Sequence, residues 1–281
     1  MNTQHAPQYL VDQELARRLE RAEGRANAEF VDARAKVRPE LGACWIEVAG
    51  TLAMYDGVDS PCTQTFGLGM FEPVGNREME TLEAFFHERS AEVHHEVSPL
   101  ADSSLLALLN GRGYQPFELS TVLFRPIESG LELAPPRDQS IRVRLSQTGE
   151  ESLWAQTAAR GWLDVAPEYF DYITELGPVN AERTNTRCFF AEYDGQPIAA
   201  GAVGLFEGVA LLAGACTIPE WRNRGAQRAL LQARLRHGAE QGCDLAMMVA
   251  APGSASQRNA ERQGFRIGYT RMKWRLARPV H

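Results

Sequence analysis

Residues 211–242, LLAGACTIPEWRNRGAQRALLQARLRHGAEQG, join an apolar stretch to a helical pattern through a short basic turn. Small and apolar residues run from Leu211 to Thr217, the pattern of a buried strand. Pro219 ends that strand because it has no N–H to give to a ladder. Arg222-Asn223-Arg224-Gly225 follows. Ala226, Ala229, Leu230, Ala233 and Leu235 then recur at three- and four-residue steps, with Arg228, Arg234 and Arg236 on other faces, until Gly242 closes the helix. The first N–H groups of such a helix have no intrahelical partner, and they lie at the positive end of the macrodipole. Gly225 lets the backbone come close to an anion. A bound phosphate is therefore the expectation here. No Gly-Lys-Ser/Thr follows, which excludes a Walker loop, and Gly-x-Gly-x-x-Gly is absent, which excludes the dinucleotide fingerprint.

Residues 219–227, PEWRNRGAQ, resemble the acetyl-CoA pyrophosphate loop of the GNAT N-acetyltransferases, Gln/Arg-x-x-Gly-x-Gly/Ala. Arg222 and Gly225 match, and Gln227 departs from the pattern. The resemblance runs on through the helix to Gly242, a strand at 245–250, a short helix from Ser254, Gly264-Phe265 and a last strand to Arg275. It covers roughly residues 141–275.

Composition narrows the class. The chain has 281 residues, 44% hydrophobic and 23% charged, so a packed protein of two domains is expected. No run of ~18 apolar residues occurs, and MNTQHAPQYL lacks a basic-then-apolar leader, so the expectation is a cytoplasmic protein with no membrane partner. A net charge of −7 disfavours nucleic acid and suits cationic small molecules. The five cysteines are odd in number and none are spaced Cys-x-x-Cys, so neither a disulfide framework nor a metal site is indicated. His94 and His95 are neighbours on a strand and point to opposite faces.

The first half is read as a helix at 12–36 broken at Gly24, strands at 44–48, 51–55 and 63–71, a helix at 77–89, a strand at 92–97, a helix capped by Asp102 through Leu109, and a strand at 115–125. The second half repeats this order after strand 141–145: a helix at 149–160, a hairpin of 187–193 with 198–205, then the stretch described first. Gly113-Tyr114 falls where Gly264-Phe265 falls, which implies an internal duplication. The turn at 72–76 lacks the basic pattern, and Glu72 would repel a pyrophosphate. The expected fold is thus α/β with mixed sheets: two tandem GNAT-like domains, each a central sheet flanked by helices. Residues 1–128 form a degenerate unit without the loop, 129–139 a linker, and 140–281 the acetyl-CoA-binding unit. The arrangement resembles tandem GNAT proteins such as mycothiol synthase.

The resemblance implies transfer of an acetyl or other acyl group from acyl-CoA to the amine of a small molecule, by direct attack. Pantetheine would pair with the main chain of Ala215, Cys216 and Thr217. The diphosphate would lie on the amides of Arg224, Gly225, Ala226 and Gln227, beside Arg222. The family's general-acid tyrosine, counted back from Gly264-Phe265, falls on Ala260, and its asparagine on Gly253. Ser254, Ser256 and Asn259 are the polar residues near the thiol by this count, with Ser256 as the substitute acid. Ser254 also reads as a helix cap through Ser-x-x-Gln. Cys216 is the candidate for a covalent nucleophile, against a packing role. No general base is identifiable; Glu192 and Glu207 stand near strand ends. The family's acceptor wall falls on residues 161–175, where Trp162, Asp164, Glu168 and Tyr169 combine aromatic faces with carboxylates suited to a cationic amine. The same pattern fits an amphipathic helix with core aromatics. The alternative function is a non-catalytic acyl-CoA-binding or regulatory protein, and a homodimer is compatible with either.

Overall fold

The computed structural model describes residues 11–128, 133 and 138–277. The predicted linker falls mostly outside them. Helix α1 (Gln13–Val37) opens where Asp12 Oδ1 accepts the N–H of Leu15 at 2.9 Å. It runs unbroken through Gly24, contrary to expectation. A Cβ at Gly24 would meet Leu52 Cδ1 at 2.9 Å, so this glycine serves the close approach of helix to sheet. β1 (Cys44–Val48), β2 (Thr51–Tyr55), β3 (Gln64–Phe66), α2 (Asn76–His87), β4 (Val93–Val97), α3 (Ser104–Gly111) and β5 (Gln115–Pro126) complete the first half. β3 is shorter than the expected 63–71 because Gly67 and Gly69 turn the chain at φ +75° and +69°.

The second half comprises β6 (Ile141–Leu145), α4 (Glu151–Trp162), α5 (Phe170–Thr174), α6 (Leu176–Ala181), β7 (Thr186–Tyr193), β8 (Gln196–Phe206), β9 (Val209–Thr217), α7 (Ala226–Glu240), β10 (Leu245–Ala250), α8 (Ala255–Glu261) and β11 (Arg266–Leu276). From α1 to β5 and from α4 to β11, the main strands and helices follow the same order once the short α5 and α6 are set aside.

All strands join one mixed sheet in the order β1-β2-β3-β4-β11-β5-β10-β9-β8-β7-β6. The last strands of the two halves are exchanged. β5 pairs with β10, with Val122 opposite Val249, while β11 pairs with β4, with Met272 opposite Val97. Alternation along the strands sorts the helices. Val209, Leu211, Leu245 and Met247 meet α1, whereas Ala210, Leu212, Ala246 and Met248 meet α7. α4 packs on Ala200, Ala202 and Cys216, on the α1 face.

A buried charge network fastens α1 to the middle of this sheet. Arg271 reaches Glu23 at 2.6 Å, Glu96 at 2.5 Å and Glu20 at 3.3 Å, and Lys273 reaches Glu96 at 3.3 Å. Tyr269 donates its hydroxyl to Glu20 at 2.7 Å.

Candidate active site

β9 and β10 run parallel and pair only from Val209–Leu245 to Leu211–Met247. Beyond that they part. The cause lies in β9, where Ala202 faces Ala213 but Ala200 faces Cys216, so Gly214 and Ala215 together oppose Gly201. Gly214 takes φ +60°, which a side chain would resist. After the bulge the ladder with β8 resumes: Ile218 N–H donates to Ile198 C=O at 3.0 Å. Alternation then turns the N–H of Cys216 towards β8 and that of Thr217 towards the opening. Of the three residues expected to pair with pantetheine, Cys216 therefore spends its amide on the sheet.

The strand leads through a single turn at Pro219–Trp221 into the basic loop. Asn223 and Gly225 lie at φ +64° and +98°, which brings the loop around to α7. No side chain caps that helix, and its first internal bond is from Ala229 N–H to Gly225 C=O at 3.0 Å. The N–H groups of Ala226, Gln227 and Arg228 are left without intrahelical partners. At the matching place in the first half, Glu78 Oε2 accepts the N–H of Gly75 at 2.9 Å. A carboxylate of the chain itself thus occupies the head of α2, and it is Glu78, not the suspected Glu72, that does so.

The loop arginines are placed differently from expectation. Arg222 does not point outward to a phosphate. It binds Asp164 through both carboxylate oxygens at 2.5 and 2.7 Å, and donates to the carbonyls of Gly161 at 3.1 Å and Thr217 at 3.2 Å. Its donors are committed to tying the end of α4 to the end of β9. Asp164 is consequently paired within the chain, and this pairing depresses its pKa. Arg224 lies over the ring of Trp221 at 4.7 Å. Gln227 lines the cleft, and its Oε1 is buried with no hydrogen-bond partner.

The helix α8 forms the far wall. Ser254 accepts the N–H of Gln257 at 3.2 Å, and Gln257 Oε1 accepts that of Gly253 at 2.7 Å. Ser254 is a cap and does not line the cleft. Ser256 and Asn259 do line it. Ala260 is fully buried in the core and is not among the residues that line the cleft, so the position counted as the missing tyrosine offers the cleft no group.

The cleft enclosed by these parts measures about 640 Å³ and is lined by Gly161, Trp162, Val165, residues 215–217, Arg222, Asn223 and Gly225 of the basic loop, Ser256 and Asn259 of α8, and Arg262 at its end, among others. Its charged residues are Arg222, Arg228 and Arg262, with no carboxylate, histidine or tyrosine among the described lining residues. Cys216 touches the cleft but is 6% exposed, and burial pushes its thiol up to about 11. It packs against Gly161, where an added Cβ would lie 2.5 Å from Sγ. That environment suits a packing residue and disfavours a nucleophile.

The expected acceptor wall is only partly assembled. Trp162 lines the cleft, while Glu168 and Tyr169 are exposed away from it. Tyr172 is half-buried and donates to Asp56 at 3.2 Å, and Glu175 pairs with Arg34 at 3.0 Å. Most of this segment docks α5 and α6 on the first half. Of the two carboxylates considered as bases, Glu192 accepts from Arg144 at 2.9 Å, and neither it nor Glu207 lines the cleft.

The family model described as Acetyltransferase (GNAT) family matches residues 151–265. Those residues form a GNAT acetyltransferase domain. Solved structures carry the fold over much more of the chain. A GCN5-related N-acetyltransferase from Kribbella flavida is 16% identical with TM-score 0.60, covering 90% of this chain and 96% of its own. A tandem GNAT protein from the clavulanic acid biosynthesis pathway is 16% identical with TM-score 0.57, covering 82% and 78%. A GCN5-related N-acetyltransferase from Sphaerobacter thermophilus is 17% identical with TM-score 0.54, covering 85% and 77%. No curated protein matches by sequence. The cleft, the basic loop and the point where β9 and β10 part all lie within residues 151–265. Among the described residues no helix is long and apolar enough to cross a membrane.

Proposed function

We propose that this protein is an acyl-CoA-dependent N-acyltransferase, with acetyl-CoA as donor and a small-molecule amine as acceptor. Residues 140–281 are the acyl-CoA-binding unit, 1–128 a duplicated unit without the site, and 129–139 their linker. The observation that carries the reading is the uncapped head of α7. Three unpaired N–H groups sit at the positive end of a 15-residue helix, at the mouth of the opening between β9 and β10. A diphosphate satisfies those donors, with Arg228 and Arg224 adding charge beside them.

Acyl transfer needs mainly positioning and oxyanion stabilisation. The amine nitrogen forms a bond to the thioester carbon as the carbonyl electron pair moves to oxygen. The pair then returns, the C–S bond breaks, and the thiolate leaves with the amine's proton delivered to it or to water. Gly214 N–H on the bulge is turned to the opening and serves the oxyanion. Ser256 is our candidate for relaying the proton, its hydroxyl taking the amine's proton as it passes its own to the thiolate, and Asn259 for a coenzyme contact. Trp162 offers a face to a cationic acceptor.

Calorimetry with acetyl-CoA, followed by thiol release with a panel of amines, tests this. Binding with turnover on some amine is expected, and Gly225→Val should abolish binding by placing a branched side chain at φ +98°. The absence of carboxylate, histidine and tyrosine from the described lining favours one rival, a non-catalytic acyl-CoA binder. That rival predicts binding and no turnover with any amine.

A further inference from the structure

Arg234 and Arg271 are the two largest fully buried side chains. Arg271 has three carboxylates around it. Arg234 forms no ion pair among the described residues. A buried cation without a counter-charge is costly, and its retention calls for a reason. Arg234 stands four residues after Leu230, on the flank of the apolar stripe of α7, and the structure turns it inward to the sheet. Its contacts are all main-chain carbonyls: Nη1 donates to Ala202 at 3.0 Å and to Ala213 at 3.2 Å, and Nε to Leu230 at 3.2 Å. Ala202 and Ala213 are the pair at which the β9 bulge begins. Gly201 makes the room, since a Cβ there would lie 3.3 Å from the guanidinium carbon.

A peptide unit is planar, with its C=O and N–H opposed. Drawing Ala213 C=O towards the guanidinium therefore swings Gly214 N–H to the opposite side, into the opening between β9 and β10. We propose that Arg234 is a positioning residue of the acyl-transfer site: it holds the Ala213–Gly214 peptide so that Gly214 N–H meets the thioester oxygen, and its buried charge polarises that N–H. The proposal rests on the acyl-CoA reading of the cleft. Donation from a charged guanidinium to a carbonyl strengthens the N–H of the same peptide. The chain thereby stabilises an oxyanion with no charged group in the cleft aimed at it.

The test needs no acceptor. The infrared carbonyl band of [1-13C]acetyl-CoA is compared free and bound to the full-length protein, with calorimetry on the same samples. The wild type should lower the carbonyl frequency on binding. Arg234→Met should bind acetyl-CoA with an unchanged Kd, because the diphosphate contacts are elsewhere, yet lose more than half of that lowering. If Arg234→Met does not fold, Arg234→Gln keeps a donor for one carbonyl, lacks the charge, and should show the same loss. A purely structural arginine would reduce Tm and leave the band of the bound state where it was, which would overturn the proposal. So would a wild-type complex with no lowering. Failure of the wild type to bind acetyl-CoA would overturn the coenzyme reading itself and this inference with it.

Discussion

Asp164 and Cys216 show how a side chain's partners redefine it. Asp164 has the charge to greet an amine, but Arg222 takes both of its oxygens. The pair is exposed, so its removal should hardly alter Tm. What it does is pre-organise the loop, and Asp164→Asn should weaken acetyl-CoA binding with a more unfavourable entropy by calorimetry. Cys216 has the chemistry of a nucleophile in the surroundings of a core residue. With its thiol near 11, roughly a thousandth is ionised at pH 8. Alkylation of the native protein at that pH should therefore be slow at this site, read by mass spectrometry of the peptide. Cys216→Ser should keep most of the transferase activity; a loss of about a thousandfold would restore the covalent route.

Helix α1 illustrates a different kind of constraint. It lies across strands of both halves and brings Glu20 and Glu23 into a cluster with Arg271, Glu96 and Lys273. Burial raises Glu23 to about 7, and Arg271 offsets this only in part. The sign follows from proton binding. Between 4.5 and about 7 the folded chain retains a proton on Glu23 that the unfolded chain releases, so this group's stabilisation is full at low pH and fades as pH rises through that window. Burial lowers His94 and His237, whose contributions run the other way over part of the same range. Comparison with Glu23→Gln reads Glu23 together with the carboxylates it shares Arg271 with: the Tm of the wild type, relative to the variant, should fall between pH 5 and 8, by roughly 2–4 °C per kcal/mol of linkage. A parallel pair of Tm curves would place Glu23 in its ionised form throughout.

The exchanged terminal strands govern the molecule's integrity. Without residues 140–281, β4 loses β11 and β5 loses both of its neighbours. Without residues 1–128, β10 and β11 lose β5. Each half alone would present long unpaired edges, which invite aggregation. Expressed separately, residues 1–133 and 138–281 should be insoluble or aggregated; expressed together they should form a soluble complex, detectable by co-purification. A soluble, monomeric C-terminal piece would show that the exchange is dispensable. The arrangement also explains how a half with no cofactor loop supports the cleft. It supplies β5 beside β10, α1 beneath the split strands and the docking surface for α5 and α6.

Local pattern was sufficient for most elements: β1, β2, β6 and β10 fall at their expected bounds, and the basic loop opens α7 where Gly225 predicted. These features arise from periodicity and turn chemistry within a few consecutive residues, which a chain displays directly. The partners of Arg222 and Arg234, the burial of Ala260, the packing of Tyr172 on the first half and the exchange of β5 with β11 came only with the tertiary structure. Each depends on groups dozens of residues apart meeting in space, and no local spacing encodes which carbonyl or carboxylate a buried guanidinium will find.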